Sequence, residues 1–156
     1  MFKRCTRLLA LSLTVVCSFG FLAGANAATA TKPSSKSGPV FFEDNSPYPM
    51  SEAARVGNML YISAQSGTIE GKLVKGGITS ETTQALDNIS TILFKHGYQK
   101  SDLVKCVAML TDMDDFEDFN KAYRATLTRP YPVRSAFGVS ELALGASVEI
   151  ECMAAQ

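Results

Sequence analysis

The 156-residue sequence holds one histidine, His96, and only two cysteines beyond residue 17. A lone histidine excludes a paired-histidine metal site. Its place at the end of a predicted helix argues against a Ser-His-Asp triad or a Cys-His dyad. The cysteine spacing fits no zinc pattern. No glycine-rich phosphate loop and no nucleophile elbow is present. Beyond residue 27 basic residues form no cluster, and over the whole chain 15 Lys+Arg balance 15 Asp+Glu. Electrostatic capture of nucleic acid has no footprint in such a chain.

What is present begins with a targeting pattern. Lys3, Arg4 and Arg7 precede the apolar run "LLALSLTVVCSFGFLAG", which ends in Ala25-Asn26-Ala27. A positive start, an apolar middle and a small-x-small end describe a secretory signal peptide. The run is short for a spanning helix, which needs about 20 apolar residues. The expectation is export to the periplasm or the medium, with cleavage after Ala27 and no membrane attachment afterwards. Removing residues 1–27 leaves 12 Lys+Arg against 15 Asp+Glu, a net charge of −3. Cys106 and Cys152 then remain where a disulfide is permitted. Two buried thiols acting as small hydrophobes are the favoured reading, because pairing needs close, correctly aimed Cβ atoms.

The Ser/Thr/Pro/Lys-rich residues 28–39 read as a disordered leader. The folded domain is expected over residues 40–156. "EAARVGNMLYISAQSG" reads as a hairpin turning at Gly57-Asn58, and "SGTIEGKLVKGG" as a glycine-rich connection. "TSETTQALDNISTILFKHG" reads as a helix capped by Thr79 or Ser80, with Glu81 in its first turn. Ala85, Ile89, Ile92, Leu93 and His96 mark one face, and Gly97 the stop. His96 in the last turn suits the carbonyl end of the helix. "DLVKCVAMLTDM" is a buried strand. "DDFEDFNKAYRATL" is a second helix capped by Asp114, with Phe116, Phe119, Tyr123 and Leu127 as a core stripe. The acidic residues Asp112 to Asp118 suit a helix start and lack the spacing of a calcium loop. "VRSAFGV" and "SVEIECMA" are two further strands, the second alternating Val148, Ile150 and Cys152 against Glu149 and Glu151.

The order β-β-α-β-α-β-β predicts one mixed sheet with both helices on one face, an α+β layer pair. The other face is left apolar and uncovered, which predicts association with further copies. Arg134 stands alone in the apolar stretch "YPVRSAFGV", and Glu149 lies on the next strand. A guanidinium fork matches a carboxylate, and a carboxylate can orient a water. Together they describe a site for a small carboxylic acid. A surface ion pair across two strands is the alternative, and spacing alone leaves both open.

"VGNMLYISAQSG", "QALDNISTILFKHG", "VKCVAMLTDMDDFEDFNKAY", "YPVRSAFGV" and "VEIECMA" together resemble the Rid (YjgF, L-PSP) family of enamine/imine deaminases, from Ser51 to Ala154. The resemblance implies a chorismate-mutase-like fold, a homotrimer with pockets between subunits, and neither metal nor cofactor. It implies hydrolysis of 2-imino or enamino acids to 2-oxo acids and ammonia. Arg134 matches the arginine that binds the substrate carboxylate, Glu149 the glutamate that positions water, and Ser63 a serine near the substrate. Asn120 matches an asparagine on the second helix, with a structural role.

Three positions depart from the family. Ala136 stands where deaminase members often carry cysteine, and Ala64 where a glycine follows the serine. The pocket tyrosine aligns with Met50, two residues from Tyr48. These departures keep open a non-catalytic trimer that binds small carboxylates or acts as a holdase. Ribonuclease activity, attached to part of the family by name, fits poorly with the acidic charge.

Overall fold

The computed structural model describes residues 38–44 and 48–156. The expected signal peptide, residues 1–27, lies outside the described residues, as does nearly all of the expected leader. The chain forms β1 (Val40–Phe42), β2 (Ala53–Val56), β3 (Met59–Ser66), β4 (Thr68–Ile69), β5 (Lys72–Leu73), α1 (Gly77–Lys95), β6 (Leu103–Leu110), α2 (Phe116–Thr126), β7 (Val133–Gly138) and β8 (Val148–Ala155). Six strands make one sheet in the order β1-β2-β3-β8-β6-β7, while β4 and β5 pair separately. Only β6 and β7 run parallel, because α2 carries the chain back between them. The fold is the expected α+β layer pair. It adds β1 and the β4–β5 hairpin, elements too short to show a period.

β2 and β3 turn at Gly57 and Asn58, where Gly57 has φ +62, the left-handed value glycine accepts without strain. Along β8, Val148, Ile150, Cys152 and Ala154 are buried, and the residues between them are half-buried. Strand periodicity therefore sends the first set toward the helices and leaves Glu149, Glu151 and Met153 on the open face. α1 packs against β3, β8 and α2. Leu86, Ile89 and Leu93 of α1 and Phe119 of α2 close the core. Tyr61, Val133 and Phe137 stay exposed on the other side of the sheet in a single chain.

α1 starts earlier than expected, at Gly77 after a left-handed Gly76, with no side-chain cap. Thr79 and Ser80 therefore fall inside the helix, and Glu81 leaves its first turn. Glu81 is buried and accepts hydrogen bonds from the Ser147 N–H (2.6 Å) and hydroxyl (3.1 Å). It ties α1 to the start of β8. Gly67 permits this approach: a Cβ there would lie 2.4 Å from the Glu81 Cα. The second helix also differs from expectation. The Asp112 carboxylate, not that of Asp114, accepts from a backbone N–H, the one on Asp114 (2.9 Å), in a 3₁₀ turn leading into α2.

The reading of two free thiols is corrected. Cys106 and Cys152 form a disulfide between β6 and β8. They are direct partners in the antiparallel register, with Cα atoms 4.1 Å apart and both side chains facing the helices. The sequence places both in strands, and the register brings them opposite. The bond closes a 46-residue separation, for which chain entropy predicts about 4 kcal/mol of stabilisation. Urea denaturation with and without dithiothreitol checks this. A reduced midpoint equal to the oxidised one contradicts it.

Candidate functional site

α2 and β7 hold one guanidinium between them. Phe116, Phe119, Asn120 and Tyr123 recur at helical spacing and share one stripe of α2. Arg134 is paired with Cys106 in the parallel register, which turns its side chain to the helix face beside that stripe. Its guanidinium lies 4.8 Å from the Tyr123 ring centroid, 4.9 Å from Phe119 and 5.8 Å from Phe116. Nη2 donates to the Asn120 Oδ1 at 2.7 Å. Aromatic faces attract a cation without neutralising it. Among the described residues no carboxylate forms an ion pair with Arg134. Four of its five N–H donors lie outside the Asn120 bond. A cavity of about 330 Å³ opens here, lined also by Arg124, Arg129, Tyr131 and Pro132.

Burial pushes the Tyr123 phenol up to about 12, against the opposing pull of Arg134. The group is a protonated hydroxyl at neutral pH and no base. Tyr123 is 4% exposed, and its hydroxyl has no hydrogen-bond partner among the described residues.

Glu149 lies elsewhere. It faces the open side of the sheet, opposite Ser66 on β3 and Met109 on β6. The Ser66 hydroxyl donates to its Oε1 at 3.0 Å. The strands of Arg134 and Glu149 are not neighbours, because β6 runs between them. The pairing of the two side chains across adjacent strands, open from the sequence, is corrected: they sit on opposite faces. Within one chain the sheet lies between them.

Ser63 sits at a β-bulge. Ile62 pairs with Cys152 and Gln65 with Ile150, so Ser63 and Ala64 together oppose Glu151. Gln65 Nε2 closes the bulge on the Ser63 and Ala64 carbonyls (3.0 and 3.2 Å). Ala64 has no positive φ, so the conformational freedom of glycine is not required there. The Ser63 hydroxyl donates to the Ser51 carbonyl at 2.7 Å. Ser63, Ser51, Tyr61 and Glu151 line a cavity of about 320 Å³ on the open face. Ser51 also borders a space of about 440 Å³ lined by Tyr48 and Met50, both exposed. Ala136 follows Arg134 on the helix side and packs against the core. The structure thus gathers the predicted residues into two groups. Arg134, Asn120 and Ala136 form one, on the helix face. Ser63 and Glu149 lie on the open side, and Tyr48 and Met50 stand in the loop before β2, whose Ser51 meets Ser63.

The sequence reading placed Glu151 only as an alternating strand residue, and it overlooked Ser66 and the dual role of the α2 aromatic stripe. Its helical period signalled a core, and nothing in the period tells that the ring faces also flank a guanidinium. His96 does stand at the carbonyl end of α1. Its Nε2 lies 3.0 Å from Glu52 Oε1, and its ring stacks on Phe42 at 4.0 Å. Among the described residues no three His, Cys, Asp or Glu side chains converge as metal ligands.

The α+β layer pair thus holds an arginine without an ionic partner in an aromatic cradle, at the edge of a cavity. Residues 44–156 match the family described as Endoribonuclease L-PSP, and the chain belongs to this Rid/YjgF/L-PSP family. It is 39% identical over 110 residues to a 2-iminobutanoate/2-iminopropanoate deaminase of Bos taurus, spanning 69% of this chain and 80% of that protein. It is 38% identical over 120 residues to a RutC family protein of Pyrococcus horikoshii, spanning 74% of this chain and 95% of that one. The crystal structure of RidA from the Antarctic bacterium Psychrobacter superposes with a TM-score of 0.69 at 34% identity, over 73% of this chain and 94% of that one.

Removing a buried, unbonded hydroxyl relieves a desolvation cost of about 1 kcal/mol. Tyr123→Phe is therefore expected to match or exceed the parent in thermal denaturation. A loss of stability of that size would mean that the hydroxyl is bonded.

Proposed function

We propose that the protein hydrolyses 2-imino acids, and their enamine tautomers, to 2-oxo acids and ammonia. The observation that carries this reading is the uncompensated guanidinium of Arg134, held by Asn120 and aromatic faces at the edge of a cavity. Similarity to proteins named 2-iminobutanoate/2-iminopropanoate deaminase supports it.

In this mechanism Arg134 binds the substrate carboxylate through parallel N–H donors. Water adds to the C=N carbon, and the carbinolamine then expels ammonia, leaving the carbonyl. Glu149, oriented by the Ser66 hydroxyl, orders that water and carries its proton toward the departing nitrogen. The Ser63 hydroxyl spends its hydrogen on the Ser51 carbonyl, so its oxygen is free to accept from the imine N–H. Imines hydrolyse unaided, and positioning supplies most of the acceleration needed. Because Arg134 and Glu149 lie on opposite sheet faces, one active site takes Arg134 from one copy and Glu149 from another. The uncovered sheet face supports such a homotrimer, with its pockets between subunits.

The signal-like residues 1–27 support export, and the Cys106–Cys152 disulfide suits an oxidising compartment. A second reading, a trimer that binds small carboxylates without turnover, is favoured by Ala136, which puts a methyl group where a thiol is common in deaminases. The net charge of −3 after residue 27 makes RNA the weaker ligand.

The test generates 2-iminobutanoate with an amino-acid oxidase and competes its hydrolysis against semicarbazide trapping. The protein should outpace the spontaneous rate, and Arg134→Ala should lower kcat/KM on the order of a hundredfold. Hydrolysis at the background rate, with 2-oxobutanoate still bound, would establish the non-catalytic reading instead.

A further inference from the structure

The cavity beside Arg134 carries more positive charge than one carboxylate needs. Arg124 on α2, Arg129 in the following loop and Arg134 on β7 all line it. They are five residues apart in sequence and form no basic run, yet the turn from α2 into β7 brings them to one space. The remaining lining residues are Asn120, Tyr123, Tyr131 and Pro132, with no acidic side chain among them. None of the three arginines takes part in an ion pair among the described residues. Arg129 lies 5.1 Å from the Tyr131 ring centroid, a contact that steadies the guanidinium and leaves its charge uncompensated. The deeply buried Tyr123, with its unbonded hydroxyl, forms part of the same wall.

We propose that this cavity selects a 2-imino or 2-oxo acid with a second carboxylate. Arg134 takes the carboxylate next to the reacting carbon, and Arg124 and Arg129 take the distal one. Three like charges around about 330 Å³ repel one another. A monocarboxylate compensates one of them, whereas a dicarboxylate gives the other two a partner as well. Arginine suits the task because its planar fork meets a carboxylate at two points. The volume falls at the lower end of ligand cavities, which fits a short-chain dicarboxylic acid. This inference rests on the reading of Arg134 as the carboxylate clamp and names the substrate class for that site.

Calorimetric titration of the mature protein with 2-oxoglutarate and 2-oxopentanoate tests it, since the two share a chain length and differ in the distal carboxylate. Dissociation constants should favour 2-oxoglutarate by about tenfold or more, as a charge-assisted pair supplies. The Arg124→Gln/Arg129→Gln double variant should bring the ratio close to one, with 2-oxopentanoate binding reporting that the variant is folded. Turnover of 2-iminoglutarate against 2-iminopentanoate should follow the same ratio. Equal affinities in the parent protein, an unchanged ratio in the double variant, or equal competition by inorganic phosphate at matched ionic strength would each overturn the proposal. If both imines are hydrolysed without preference, this inference fails and the deaminase reading stands. If neither acid binds and neither imine is turned over, both fall.

Discussion

Strict alternation along β8 is the constraint on which the rest depends. With Val148, Ile150 and Cys152 committed to the helix side, Glu149 and Glu151 have only the open side left. The same register aligns Cys106 with Cys152 on one flank and with Arg134 on the other. Disulfide, arginine and core thus share one face, and the carboxylates share the opposite one. A shift of one residue would exchange every side chain between faces. The disulfide locks the alignment of β6 with β8, and β6 in turn positions β7 and Arg134.

α2 carries a second coupling. Phe119 and Tyr123 are core residues by burial, and their rings are also the nearest surfaces to the Arg134 guanidinium. Asn120, between them on the same stripe, fixes the guanidinium orientation through one hydrogen bond. Changes that loosen this helix therefore act on stability and on the placement of the Arg134 guanidinium together. On the open face the bulge plays a comparable part. By inserting one residue between Ile62 and Gln65, it brings Ser66 opposite Glu149 and leaves Ser63 opposite Glu151.

Much of this was legible in the sequence. The stripes of α1 and α2, the Gly57-Asn58 turn and the alternation of β8 each have a period or a turn signal, and the layer pair follows from their order. Arg134 and Glu149 stood out as charges in apolar strands. Their separation did not, because chain order hides β6, which enters the sheet between β8 and β7. Pairing of Cys106 with Cys152 depends on register rather than spacing, so burial was visible and the bond was not. The start of α1 was misplaced because two glycines, not a side-chain cap, begin that helix. The grouping of Arg124, Arg129 and Arg134 was invisible because a loop, not a helical face, assembles it.

The separation of the two functional groups leads to one decisive measurement. Differently tagged Arg134→Ala and Glu149→Gln chains are co-expressed, and assemblies carrying both tags are assayed for 2-iminobutanoate hydrolysis. Sites formed from two copies should regain activity wherever an intact Arg134 meets an intact Glu149, about one site in three in every doubly tagged cyclic trimer. Mixed assemblies as inactive as either parent would contradict a site shared between copies.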